Sequence, residues 1–419
     1  MKRQTLWTYD FTVITIGSVV SLLGSILSSF AISLLILDCT GSTFLYMLYN
    51  VAYPLPMIIC PVLAGPYLDR MSRKKVIYCL DFLSSGIYLV LFLLLREGWF
   101  SYPVLLVVNV LTGAINSVYS VAYESFYPNL ITEGNFGKAY AIASLLEDMA
   151  YMTYPLAAVL YRSLGGAAPL FAINAVSFFL AACFEVTIHH KETHMESVTH
   201  ETAQGAVRQF HRDLKEGMDY IKGERGLLMV ALYMMVVFMT GGAEQLQLPY
   251  FLNHADRFAA WPVAAATLYA VLSNFMVAGR LLGGSIQYKV RIPKERKYHV
   301  SLAVYVGTNL LTGIVLFLPV PLMAVSFLAS GLLGVTAYTI RTAATQSYVP
   351  DGKRARFNGV FQMLAALGGV VGGLLAGALA EVLPERGIIA GSNALALAAV
   401  YLFIWRGREH VRKVYNREV

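Results

Sequence analysis

The sequence predicts an all-α membrane protein, with twelve transmembrane helices arranged as two pseudo-symmetric six-helix bundles. Three observations carry that expectation: an apolar composition, a regular series of apolar runs of spanning length, and basic residues confined almost entirely to every second loop. Of the 419 residues, 57% are hydrophobic and 14% charged, with a mean hydropathy of +0.59. An ordinary soluble domain is about 45–50% apolar and about 25% charged. A helix needs roughly 20 mainly apolar residues to cross about 30 Å of hydrocarbon, and twelve such helices use about the whole apolar content of the chain. No soluble catalytic domain of about 100 residues fits beside them.

Apolar windows fall near residues 11–36, 43–66, 76–95, 102–126, 138–161, 167–186, 226–252, 261–288, 299–318, 321–346, 357–382 and 388–405. Each satisfies its own backbone hydrogen bonds in lipid when helical. The first window is too long for a signal-peptide core and lacks an obvious small-residue cleavage site, so it is read as a retained span. With twelve crossings, both termini and alternate loops share one side, which holds 26 of the 32 Lys and Arg. The other side holds Arg96, Arg162, Arg257 and Arg386, while Arg280 and Arg341 remain inside spans. The positive-inside rule makes the crowded side, and both termini, cytoplasmic. The net charge of +7 is therefore a topology signal and not a nucleic-acid footprint, because the basic residues form short clusters between apolar runs. The 4 Cys show neither a disulfide framework nor zinc spacing, and no cofactor motif is present.

Three parts follow: a first bundle over residues 1–186, a cytoplasmic loop over 187–224, and a second bundle with a short tail over 225–419. The loop opens with His189, His190 and His194; clustered His can ligate zinc, but charged linkers commonly carry unstructured His. It ends with Val207, Phe210, Leu214, Met218 and Ile221 at three- and four-residue spacing, which predicts an amphipathic interfacial helix. An internal repeat relates the bundles. Gly65-x-x-x-Asp69-Arg70-x-Ser72-Arg73 matches Gly283-x-x-x-Gln287-Tyr288-x-Val290-Arg291 at an offset of 218. Related halves of this kind usually rock about a site between them.

Gly65-Pro66-Tyr67-Leu68-Asp69-Arg70-Met71-Ser72-Arg73-Lys74-Lys75 resembles the loop motif between spans two and three of the major facilitator superfamily, with Ser72 in place of the usual Gly. Gly65 allows close helix approach, Asp69 suits the positive N-terminus of a neighbouring helix, and Arg70 and Arg73 stay with the headgroups. Residues 210–221, the opening Gly17-Ser18-Val19-Val20-Ser21-Leu22-Leu23-Gly24, and the stretch from Ser347 to Val360 are similar to the drug:proton antiporter branch that includes the macrolide efflux pumps and the enterobactin exporter. The resemblance implies a bacterial plasma-membrane transporter acting as a monomer among membrane lipids. The chain departs from the family at Leu111-Thr112-Gly113, where many members carry Arg, and at Tyr154-Pro155-Leu156-Ala157-Ala158, where antiporters often carry Gly-Pro-x-x-Gly-Gly. A proton route is therefore sought in other residues.

A charge at mid-bilayer costs about 2.5–3.5 kcal/mol on insertion scales, so each needs a partner, a wet cavity or a proton. Glu147 and Asp148 lie roughly 15 Å into span five, and Arg280 roughly 12 Å into span eight, at 1.5 Å per residue. Arg280 is expected to pair with one of these carboxylates, either as a latch that alters proton occupancy or as a static packing pair. Glu124 and Arg341 occupy corresponding places in the repeat and form a second candidate pair, with solvation by headgroups the alternative for Glu124. In span seven, Gly241, Gly242 and Pro249 can interrupt the helix near Glu244 and Gln245, an outer gate or simply a solvated end. Asp10 and Asp81 stand at cytoplasmic ends of spans and are expected to be solvated or capping. Tyr46, Tyr49, Asn50 and Tyr53 share one face at helical spacing, as do Tyr119 and Tyr123. Such rings suit bulky, partly polar ligands and cations, although Tyr also anchors helices at the interface.

No nucleophile elbow, metal-ligand pair or Walker motif appears, so transport powered by an ion gradient is the economical reading over an enzyme or an ATP-driven pump. The leading function is efflux of an amphipathic small molecule by proton exchange and alternating access. The alternatives are an exporter of a lipid, siderophore or peptide-like product without tight coupling, and a non-transporting sensor or subunit.

Overall fold

The computed structural model describes residues 5–57, 60, 71–132, 135, 139, 142–143, 146, 149–190, 192, 203–289 and 292–416. In chain order the helices are α1 (Tyr9–Thr40), α2 (Thr43–Ala52), α3 (Arg73–Arg96), α4 (Tyr102–Phe126), α5 (Tyr154–Ser163), α6 (Ala168–Val186) and α7 (Ala203–Gly223). They continue as α8 (Arg225–Glu244), α9 (Gln247–Asn253), α10 (Ala265–Lys289), α11 (Lys294–Ile314), α12 (Val320–Tyr348), α13 (Asp351–Ala380), α14 (Glu385–Ala399) and α15 (Arg408–Tyr415). Among the described residues, 10 helices are long and apolar enough to cross a membrane. The windows expected at 43–66 and 138–161 include residues outside the description.

Local chemistry sets the ends of α1. Thr8 accepts the Phe11 N–H at 3.2 Å, filling one of the donors a helix start leaves unsatisfied. At the other end Gly41 takes φ +63° and donates to the Leu37 carbonyl, a left-handed stop that favours glycine.

Two compact units form. The first comprises Met1–Gly41 and Ala52–Arg208; the second comprises Ser42–Val51 and Gln209–Val419. In the first unit α3 lies along α6 and α6 along α1. Asn174 on α6 donates to Ser28 on α1 at 2.7 Å, a polar pair holding two apolar helices together. In the second unit the closest crossing joins α10 and α12: a Cβ on Gly279 would stand 2.0 Å from the Leu328 carbonyl oxygen, and one on Gly331 2.0 Å from that of Met276. Each helix thus needs a missing side chain where the other's backbone passes. The small residues of α13 act similarly, Gly372 against the Met239 carbonyl of α8 and Gly377 against Met47 of α2.

The break expected in the seventh window near Glu244 and Gln245 falls between α8, which ends at Glu244, and α9, which starts at Gln247, while Gly242 packs closely against α13. The short tail expected after the last span forms α15, whose Val411, Val414 and Tyr415 are fully buried. Its alternating basic and apolar residues put one face on the second unit's core, where Tyr415 and Tyr305 join hydroxyl to hydroxyl at 2.8 Å. The amphipathic helix expected in the central loop is α7, and its Leu214, Met218 and Ile221 pack into the same core.

Candidate functional site

In the first unit the ends of α3 and α6 bring two carboxyl groups together away from water. Asp81 stands eight residues beyond Arg73, about 12 Å along α3, and is 2% exposed. Glu185, the penultimate residue of α6, is fully buried. The two side chains lie within hydrogen-bonding reach of each other, and the Tyr119 hydroxyl of α4 donates to Glu185 Oε1 at 3.4 Å. On α1, Gly17 faces the Glu185 carboxyl without a side chain of its own. Asp81 was expected to be solvated or capping, and the structure corrects this: α6 covers it. Glu185 escapes sequence reading because it closes an apolar window, where a carboxylate looks like a boundary residue.

Tyr119 begins a ladder. Its ring stacks on Tyr123 at 5.8 Å, and Tyr123 on Tyr127 at 5.2 Å, so the pair expected on one face of α4 extends to a third ring. Ser18 donates to the Tyr123 hydroxyl at 3.1 Å, tying the ladder to α1. Below it, the start of α3 holds an anion: Ser72 Oγ and the Arg73 and Lys74 N–H groups all donate to the Glu192 carboxylate. A carboxylate at a helix N-terminus is favoured by the unsatisfied N–H groups and the dipole. Arg73 also donates to the Ser125 carbonyl at 3.2 Å. Of the motif residues Gly65, Asp69, Arg70 and Arg73, only Arg73 is described; the other three lie outside the described residues.

In the second unit Arg341 is 8% exposed on α12. Its guanidinium lies 4.9 Å from the Phe361 ring and 5.3 Å from the Tyr338 ring, with Nη2 donating to Thr342 at 3.4 Å. Its Nη1 is buried and has no hydrogen-bond partner among the described residues. Aromatic faces offset part of the cost of burying the cation.

The remaining expected residues are spread through the fold. Glu147 and Asp148 lie outside the described residues, so their pairing with Arg280, exposed on α10, stays an expectation. Glu124 is exposed near the end of α4. Glu244 and Gln245 are half-buried at the break after α8. Tyr46 is buried and Tyr49 and Asn50 half-buried on α2, where Asn50 donates to the Tyr46 carbonyl at 3.0 Å. Tyr53 does not continue their face: α2 ends at Ala52, and the Tyr53 carbonyl lies against Gly113 of α4.

Among the described residues the regular structure is helical, and 10 helices are long and apolar enough to cross a membrane, which defines a multi-pass membrane protein. Solved structures share the fold: a nucleoside transporter, NupG, superposes with a TM-score of 0.69 over 96% of this chain and 99% of its own at 12% identity. A POT family transporter in complex with 5-aminolevulinic acid superposes with a TM-score of 0.71 over 96% of each chain at 10% identity. The chain belongs to the Transmembrane secretion effector family of the major facilitator superfamily, which it matches over residues 5–414. It is similar to Macrolide efflux protein A of Streptococcus pyogenes, at 24% identity over 70% of each chain. It is also similar to the uncharacterized MFS-type transporter YkuC of Bacillus subtilis (strain 168), at 22% identity over 67% of this chain and 66% of that protein.

Proposed function

We propose that this transporter is a proton-coupled exporter of amphipathic, macrolide-like small molecules, working as a monomer by alternating access in a bacterial plasma membrane with both termini in the cytoplasm. The observation that carries this reading is the similarity to a macrolide efflux protein over 70% of the chain, within a family match spanning residues 5–414. In this reading Tyr46, Tyr49, Asn50, Tyr53, Tyr119 and Tyr123 offer aromatic faces and hydroxyls to the substrate, and Glu244 and Gln245 stand at the outer gate. Glu147 or Asp148 carries a proton in exchange with Arg280, and the Gly65–Asp69–Arg70–Arg73 motif times the conformational change. Glu124 and Arg341 form a further charge pair in the cycle. A second reading, export of a siderophore-like or lipid anion without tight coupling, is favoured by the buried Nη1 of Arg341, a ready partner for an anionic group.

The test is made in proteoliposomes. A pH gradient is imposed, dyes, macrolides and siderophores are screened, and wild type is compared with Glu147→Gln and Asp148→Asn. Gradient-driven flux that falls at least tenfold in either variant is the expected outcome. Flux that ignores the gradient and both substitutions moves the second reading to first place.

A further inference from the structure

We propose that Asp81 and Glu185 form a buried proton-binding site in the first unit, in which the two carboxyl groups share one exchangeable proton and Tyr119 holds Glu185 in place. Two ionised carboxylates in contact, with Asp81 2% exposed and Glu185 fully buried, combine mutual repulsion with a desolvation cost of several kcal/mol per ion. One proton converts that clash into an O–H···O hydrogen bond, and the pair then titrates as a unit.

The unsatisfied atoms point the same way. Asp81 Oδ2 and Glu185 Oε2 are both buried without a conventional partner among the described residues. Buried polar atoms are normally hydrogen-bonded, and a shared proton satisfies both oxygens at once. Tyr119 takes up Glu185 Oε1, leaving Oε2 for the proton.

Among the described residues, no cation is recorded against the pair. On α4 the titratable groups facing the pair are Tyr119 and, behind it, Tyr123. On α1 the neighbours are Gly17 and Ser18, which do not titrate. The cations at the start of α3 have other partners: Arg73 donates to the Ser125 carbonyl and Lys74 to the Ile188 carbonyl. Among the described groups, a shared proton is what balances the charge of the pair.

The role of this proton in export rests on the proton-coupled reading above, whereas its binding does not. Purified wild-type transporter is examined by infrared difference spectroscopy in H2O and D2O at neutral pH. A protonated-carboxyl C=O band that shifts in D2O, titrates away at alkaline pH, and is lost in Asp81→Asn and in Glu185→Gln is the expected result. In each variant an amide N–H replaces the proton and the remaining carboxylate ionises. In proteoliposomes both variants are expected to retain counterflow of a radiolabelled macrolide while gradient-driven accumulation falls at least tenfold. A band unchanged in both variants, or its absence from wild type, overturns the site; where a variant fails to fold, the wild-type titration decides. Wild-type flux indifferent to pH, with the band still lost in the variants, overturns the coupling reading and leaves the site standing.

Discussion

Asp10 and Asp81 look alike in the sequence, each at the edge of an apolar window, and the fold treats them oppositely. Asp10 accepts the His189 N–H at 2.9 Å at a partly open position, as an edge carboxylate should. Asp81 is sealed because its face of α3 turns toward α6, where Glu185 waits. A window count registers depth along a helix but not which face meets which neighbour, so Asp81 was noted as an edge acid while its pairing with Glu185 stayed illegible. Small residues in spanning helices permit close approach, and which carbonyl each glycine admits is a property of the crossing. Gly331 is the sharpest case. A methyl there meets backbone at 2.0 Å, so Gly331→Ala is expected to destabilise the second unit by about 1–3 kcal/mol, read as a lower midpoint of thermal unfolding in detergent. An unchanged midpoint would mean that the α10–α12 crossing yields without cost.

Among the elements, α15 shows how a short tail can carry an amphipathic helix. Its sequence alternates the basic residues Arg408, Arg412 and Lys413 with Val411, Val414 and Tyr415, which are buried. Tyr415→Phe keeps the ring and removes the hydroxyl pair with Tyr305, and is expected to cost about 0.5–1.5 kcal/mol with transport intact. Burial pushes the Tyr415 hydroxyl well above its ordinary value of 10.0. A folded-state value above the unfolded one makes the docking contribution complete below pH 10 and diminishing as the pH rises past it. The Tyr415→Phe variant should therefore lose part of the alkaline sensitivity of wild type, measured as melting temperature against pH. By contrast α7 was legible at once, because its apolar residues repeat at helical spacing with charges between them.

For the whole molecule, spacing and charge asymmetry predicted the spanning plan, and the repeat predicted a division into related halves. The proposed orientation has a direct check. Cys39 is exposed beside the turn at Gly41, on the side that the positive-inside rule places outside the cell. With Cys60, Cys79 and Cys183 replaced by Ser, a membrane-impermeant maleimide added to intact cells is expected to label Cys39; labelling only after lysis would invert the topology. What the repeat could not reveal is that Ser42–Val51, carried by the first half of the chain, belongs to the second unit. Glu381 beyond α13 accepts from Ser42 Oγ and the Phe44 N–H, both at 3.2 Å, and Gly373 and Gly377 make room for Val51 and Met47. A single crossover between two relatives in the linker would part these side chains from the glycines shaped to receive them. Hybrid transporters should therefore survive mainly when a second crossover moves residues 42–51 along with residues 209–419, so that recombination preserves a packing unit that is discontinuous in the gene.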